Sequence, residues 1–271
     1  MIVIGLTGGI CTGKSTVSSY IRERNKTKYG NNVYIIDADV ISKSIVEYGK
    51  PAYKDIVSYF GDKVDGKTLE ITLENGAKTI DRTKLGKFVF APENKEHLQK
   101  LNSFTHPRVI KEMIKQIVYA HLKGFKVCIL DVPLLLENAI LKNLCYKICT
   151  TIMNDKDKQL SRLVKRNPEI SKEQLENRIK SQKITNEQRE LMSDYLINND
   201  NDDITNLYRQ VDYLMEKELL SSSDELHIIE WIFPLFGLLS GMNIFIRNYY
   251  FSKNSNSEDQ EKGIYLNSLI E

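Results

Sequence analysis

Ile2-Val3-Ile4-Gly5-Leu6-Thr7-Gly8-Gly9-Ile10-Cys11-Thr12-Gly13-Lys14-Ser15-Thr16 is the stretch that decides the fold. Ile2 to Leu6 is a short apolar run with β-branched residues, the pattern of a buried strand. From Gly8 the spacing is G-x-x-x-x-G-K-[ST], a phosphate-binding loop. Gly8 and Gly13 permit backbone angles that bulkier residues resist, so successive N–H groups can point inward as an anion nest. Lys14 supplies a point charge for β- and γ-phosphates, and Ser15 offers a hydroxyl to Mg²⁺. The bare pattern also arises as a glycine-rich turn with an exposed lysine. The context argues against that, because Val17, Tyr20 and Ile21 follow at helical spacing and give strand before, helix after. That helix adds the positive end of its dipole to the loop.

A chain of 271 residues with 27% charged and 41% hydrophobic residues is long enough for a sizeable core and ordinary for a globular protein. Its formal charge of +2 is too small to argue for a nucleic-acid partner on its own. Cys11, Cys128, Cys145 and Cys149 form no C-x-x-C pair and have no histidine at zinc spacing, so they read as reduced thiols. No secretory leader is expected, because the loop begins almost at Met1. These features together favour a cytoplasmic protein.

Val33 to Ile36 reads as a second buried strand, ending in Asp37-Ala38-Asp39. In parallel α/β sheets ligands bind outside the carboxyl ends of strands. If strands one and two lie close, a carboxylate stands near the transferring phosphate. Asp39 is expected to orient or deprotonate an attacking hydroxyl, and Asp37 to be structural or to support it. Simple capping of the next helix is the competing reading for both. From Pro51 to Leu122 the pattern is mostly helical, with Asp62 to Lys78 a surface excursion. Glu93 to Asn102 and Pro107 to Leu122 read as separate helices, and His106 as a hydrogen-bonding residue at the start of the second. Val127 to Leu130 is a third strand ending in Asp131, which is either a second Mg²⁺-organising acid or a strand-end turn residue. Ile148 to Met153 and Asp194 to Asn199 are the fourth and fifth strands.

Between those strands Lys156 to Lys183 is basic. Arg162 and Arg166 share a helix face, Pro168 ends that helix, and Ser171 with Gln174 starts another that carries Arg178. Arginines on a helical hairpin can clamp phosphates during transfer and exclude water, although a basic run alone is commonly a solvated face. Ile204 to Leu219 is an amphipathic helix. The charge-free run Trp231 to Ile246 is somewhat short of the roughly 20 residues a spanning helix needs, but Trp231, Arg247, Tyr249, Tyr250 and Lys253 flank it as interfacial anchors would. Membrane association is the expectation there, and a helix packed on the protein body is the alternative. The polar end, 252–271, is expected to be disordered.

The order GLTGG-x-x-x-GKSTV, IDAD, THP, DVPLLLE, QLSRLVKR, NRIKSQ resembles the dephospho-coenzyme A kinase family, in its eukaryotic single-domain form with an apolar C-terminal segment. The resemblance implies an α/β phosphate-loop kinase fold: a five-stranded parallel sheet flanked by helices, a helical acceptor domain and a lid. Carried onto this chain, it divides 1–219 into a core (1–50, 124–154 and 193–219), an acceptor region (51–123) and a lid (155–192). An apolar segment, 220–251, follows. The implied activity is ATP-dependent phosphorylation of the ribose 3′-hydroxyl of dephospho-coenzyme A, with Mg²⁺, as the last step of coenzyme A synthesis. Lys14, Asp39 and Arg162 would be catalytic. Gly8, Gly9, Ile10, Cys11, Thr12, Gly13, Lys14, Ser15, Thr16 and Arg166 would bind ATP. Asp37, Arg82, His106 and Arg108 would face the acceptor, and Ser15 and Asp131 the metal.

The sequence departs from that family at Cys11, where glycine or alanine is usual, and at Asn199-Asp200, which replaces Asn-Gly. The loops Asn25 to Asn32 and Asp62 to Lys78 are longer than usual. Two other readings remain open at this point: a nucleoside monophosphate kinase-like enzyme, and a membrane-tethered nucleotide-binding protein without turnover.

Overall fold

The computed structural model describes residues 1–64, 69–74, 76–221, 242, 246 and 264–266. Ile2, Ile4 and Leu6 are buried in strand β1 (Ile2–Gly8), and every residue of β5 (Val127–Asp131) is buried. Strands enclosed on both faces need such continuous apolar runs, because no side faces water.

In chain order the elements run as follows. After β1 come α1 (Lys14–Thr27), β2 (Val33–Asp37), α2 (Ala38–Ser44), α3 (Pro51–Phe60), the hairpin β3 (Glu70–Thr72) and β4 (Lys78–Ile80), α4 (Arg82–Val89) and α5 (Lys95–Leu122). Then follow β5, α6 (Ala139–Leu144), β6 (Lys147–Ile152), α7 (Lys156–Arg166), α8 (Lys172–Lys180), α9 (Asn186–Leu191), β7 (Tyr195–Asn198), α10 (Ile204–Tyr213) and β8 (Ile264–Tyr265). The main sheet has the order β2-β5-β1-β6-β7-β8, so the expected five-stranded parallel sheet is present and β8 extends it.

Register fixes what meets at the carboxyl end. Leu6 pairs with Asp131 on one side of β1, and Gly8 with Thr151 on the other. Strand β5 lies between β1 and β2, so the second strand is not the neighbour of the first.

The chain forms two compact units, Met1–Ile36 with Tyr119–Glu271, and Asp37–Val118. The second begins at Asp37, earlier than the boundary expected at residue 51. In the first unit, α1 and α10 bury Val17, Tyr20, Ile21, Leu207 and Val211 in one core with β1 and β5. The Tyr20 and Tyr208 rings stack at 4.0 Å. Asp212 accepts from Tyr29 Oη at 2.6 Å and Tyr20 Oη at 3.0 Å, and Lys28 Nζ lies 2.7 Å from it. One carboxylate therefore ties α1 to α10.

The second unit has its own core of Tyr53, Ile56, Phe60, Leu69, Ile80, Leu85 and Val89. Part of the expected surface excursion is ordered as the antiparallel hairpin β3–β4. The two helices expected around Pro107 are one continuous helix, α5, with Pro107 inside it. Proline removes one backbone donor and disturbs the preceding turn. Close to it Thr105 Oγ1 donates to the Leu101 carbonyl at 3.0 Å, and Arg108 Nη1 to the Phe104 carbonyl at 2.5 Å. His106 is therefore an exposed mid-helix residue rather than a helix-start residue.

Of the tail expected to be disordered, Ile264 and Tyr265 instead pair in parallel with Tyr195 and Leu196, and Leu266 is buried in the first unit's core. The candidate membrane segment 228–251 lies outside the described residues apart from Met242 and Ile246, which are exposed. Among the described residues no helix is long and apolar enough to cross a membrane.

Candidate active site

The loop between β1 and α1 meets both halves of the expectation, with one redistribution. Gly13 has φ 103° and precedes the first turn of α1, a conformation that L side chains resist. Gly8 does not have a positive φ. It is required by close approach, because a Cβ there would lie 2.1 Å from Thr151 Oγ1 and 2.9 Å from the Thr151 carbonyl. The second left-handed residue of the loop is Cys11, at φ 58°. A non-glycine residue there carries a cost of roughly 1–2 kcal/mol. The surrounding contacts must hold that conformation in place.

Those contacts come from distant parts of the chain. Thr12 is fully buried. Its Oγ1 donates to the Gly9 carbonyl at 3.0 Å and meets Thr151 Oγ1 at 2.8 Å. Asn199 Nδ2 donates to the Thr12 carbonyl at 2.9 Å from the end of β7. The Ile10 peptide is held from both sides: Gln159 Nε2, on α7, donates to its carbonyl at 2.6 Å, and Ile10 N donates to Gln182 Oε1, after α8, at 3.0 Å. Thr151, Gln159, Gln182 and Asn199 are absent from the sequence-derived site. Gln159 and Gln182 sit within QLSRLVKR and NRIKSQ, the segments the motifs had singled out for their arginines. Of the pair Asn199-Asp200, Asn199 braces the loop.

Lys14, at the first position of α1, pairs with the buried Asp131 at the end of β5. The structure therefore brings Asp131 to the loop. Ser15 is exposed and has no side-chain hydrogen bond among the described residues. No cluster of three or more His, Cys, Asp or Glu fit to hold a metal occurs among those residues. A hydroxyl and one carboxylate at a phosphate loop nevertheless fit Mg²⁺, which takes few protein ligands and completes its shell with phosphates and water.

On α7, Arg162 and Arg166 lie three and seven residues beyond Gln159, on the same helix face. Arg162 is half-buried and Arg166 exposed, and neither has a side-chain partner among the described residues. Ser171 caps α8 as expected. The complete capping box belongs instead to the unforeseen α9, where Thr185 and Gln188 cap each other's backbones. Thr185-x-x-Gln188 was a legible signal for that helix.

The other candidates belong to the second unit. Asp37 caps α2, accepting from Asp39 N at 3.0 Å and Val40 N at 3.1 Å. Asp39 stands in the first turn of α2, exposed and without a side-chain partner among the described residues. Arg82 Nη2 donates to the Lys43 carbonyl at 3.2 Å, and Arg108 Nη2 lies 2.6 Å from Asp55 Oδ2. None of Cys11, Cys128, Cys145 and Cys149 is in a disulfide. Burial raises Cys128 to about 12, and also raises Cys145 and Cys149.

A strand, an anion nest, a lysine and a hydroxyl at a helix start, set at the carboxyl end of a parallel sheet, define a phosphate-loop nucleotide-binding protein. Residues 2–204 match the family model described as dephospho-CoA kinase. The chain is 40% identical over 258 residues to the dephospho-CoA kinase CAB5 of Saccharomyces cerevisiae, covering 95% of this chain and 98% of that one. It is 42% identical over 219 residues to a dephospho-CoA kinase of Fusobacterium nucleatum, covering 80% and 98%. A solved dephospho-CoA kinase from Campylobacter jejuni superposes with TM-score 0.58 at 24% identity, over 81% of this chain and 98% of that one, a likeness of fold. The chain belongs to the dephospho-CoA kinase family.

Proposed function

We propose that this chain, a dephospho-coenzyme A kinase by family, transfers the γ-phosphoryl group of ATP to the ribose 3′-hydroxyl of dephospho-coenzyme A through the phosphate loop and Asp39. The observation that carries the reading is the loop itself: Gly13 in the left-handed region, Lys14 and Ser15 at the start of α1, and the loop carbonyls tied down by Gln159 and Asn199. Phosphoryl transfer asks little covalent chemistry of a protein, so positioning and charge stabilisation dominate. Backbone N–H groups of residues 8–15 hold the phosphates, and Lys14 neutralises charge on the transferring group. Ser15 and Asp131 would hold Mg²⁺, which shields the β- and γ-phosphate charge. Arg162 and Arg166 add cations from the face of α7 that carries Gln159.

Asp39 is the hydroxyl-orienting carboxylate. Its side chain is exposed and uncommitted, whereas Asp37 is used in capping α2. Arg82, His106 and Arg108 lie in the same unit as Asp39 and supply polar and cationic groups for the acceptor. We place the protein in the cytoplasm.

The test is ADP release by purified protein with Mg·ATP, with dephospho-coenzyme A and with nucleoside monophosphates as acceptors. Release that depends on dephospho-coenzyme A supports the reading, and turnover driven only by a monophosphate overturns it. Asp39→Asn is expected to lower kcat by about 10²–10⁴-fold, the range for a lost general base. Wild-type turnover in that variant would remove Asp39 from the mechanism.

A further inference from the structure

Arg189 is 7% exposed, on the short helix α9. Its Nη2 donates to Gln182 Oε1 at 3.3 Å, the same oxygen that accepts from Ile10 N in the loop. The guanidinium stands over the loop backbone, since a Cβ on Gly9 would come within 3.5 Å of Nη1 and 3.1 Å of Gln182 Oε1. The helix is anchored beneath it: Ser193 Oγ donates to the Arg189 carbonyl at 2.7 Å, and Thr150 Oγ1 meets Ser193 Oγ at 2.6 Å. Among the described residues no carboxylate lies within ion-pair distance of Arg189, and Glu137 acts on it only through space. Burial correspondingly lowers its pKa.

Buried cations are ordinarily paired, because desolvation is costly and one hydrogen bond to a neutral amide does not offset it. A planar fork of donors suits phosphate oxygens. A buried guanidinium lacking an anion, held beside a nest of loop amides, is half of an ion pair whose other half arrives with the ligand. We propose that Arg189 is a phosphate-contacting residue of the active site, held over Gly9 by Gln182 so that its guanidinium meets the phosphate chain of bound ATP. The assignment rests on reading the loop as the ATP site. Gln182 is a positioning residue, because one carboxamide oxygen sets both the Ile10 peptide and the guanidinium.

The experiment compares the full-length wild type with Arg189→Met and Arg189→Lys. It reads ATP and AMP affinity by calorimetry, and the thermal midpoint with and without pyrophosphate. Arg189→Met is expected to lose ATP affinity by about 10- to 150-fold, the factor for one charge-assisted hydrogen bond, while AMP affinity moves less than about threefold. Its midpoint without ligand should not fall below the wild type's, because an unpaired buried charge has been removed, and pyrophosphate should no longer raise it. Arg189→Lys should lie between. Pyrophosphate stabilising Arg189→Met as much as wild type, or ATP and AMP affinities falling by one common factor, would overturn the proposal. Should Arg189→Met fail to fold, Arg189→Lys is judged on the same two readouts. A wild type that binds neither ATP nor pyrophosphate sinks the ATP-site reading itself, and the proposal with it.

Discussion

The loop Gly8 to Thr16 and the segments that close on it from 151–199 serve one end of the molecule but are specified differently. The loop is contiguous, and its chemistry comes from backbone conformation at Gly13 and from Lys14 and Ser15 at a helix start. The brace is scattered: Thr151, Gln159, Gln182 and Asn199 each contribute one or two hydrogen bonds from a different element. The first region says what is bound. The second says why a turn with Cys11 at a positive φ keeps its shape. A phosphate nest that need not reorganise on binding stabilises transferring charge better than one that must.

Four substitutions sharpen the contrast. Lys14→Ala removes the loop's own charge and should lower kcat by at least about 10³-fold with the fold retained, as ADP release and circular dichroism will show. Wild-type turnover would remove Lys14 from its role. Asn199→Ala leaves the loop sequence intact and strikes only its brace, taking the donor from the Thr12 carbonyl. A loss of about 1–3 kcal/mol in stability is expected, with kcat/KM down about tenfold. An unchanged kcat/KM would show that the loop holds its form alone.

Asp212 tests the scaffold beneath the loop. Burial raises its pKa, but hydrogen bonds from Lys28, Tyr29 and Tyr20 outweigh burial, and the net value lies below the ordinary 3.8. A depressed folded-state pKa contributes stability that is complete above the unfolded value and lost as pH falls through the folded one. Asp212→Asn should therefore cost about 1–2 kcal/mol near pH 7 in urea unfolding, with the gap to wild type closing below about pH 4. A gap that widens in acid contradicts this assignment. Cys11→Gly should have the smallest effect. It relieves the left-handed strain but adds chain entropy, so stability should change by less than about 1 kcal/mol and turnover little. A large rise in activity would mean that the Cys11 side chain crowds the phosphates.

Strands β1, β2, β5, β6 and β7 were legible because strands buried on both faces require unbroken apolar runs. Helix α5 reads as two in the sequence, since proline is a boundary signal there, whereas in the structure the helix runs through Pro107. Helix α9 had a readable capping box at Thr185 and Gln188, but a helix of six residues gives almost no periodicity. Strand β8 is only two residues long, too short for an apolar run or a period of two to show in the sequence. In the site, Gly8 was identified for the wrong reason. Its freedom from a Cβ matters because Thr151 crosses it, and that follows from the β1–β6 register alone.

By itself the sequence determined the phosphate loop, the helix that follows, the parallel sheet and, through its ordered motifs, the family. Each depends on neighbouring residues whose spacing is fixed by covalent geometry. The tertiary structure alone decided that Lys14 rests on Asp131, that Asn199 and two glutamines hold the loop carbonyls and amide, and that Arg189 is buried over Gly9. Those pairings join residues from separate elements, and only the packing of strands and helices brings them within hydrogen-bonding reach.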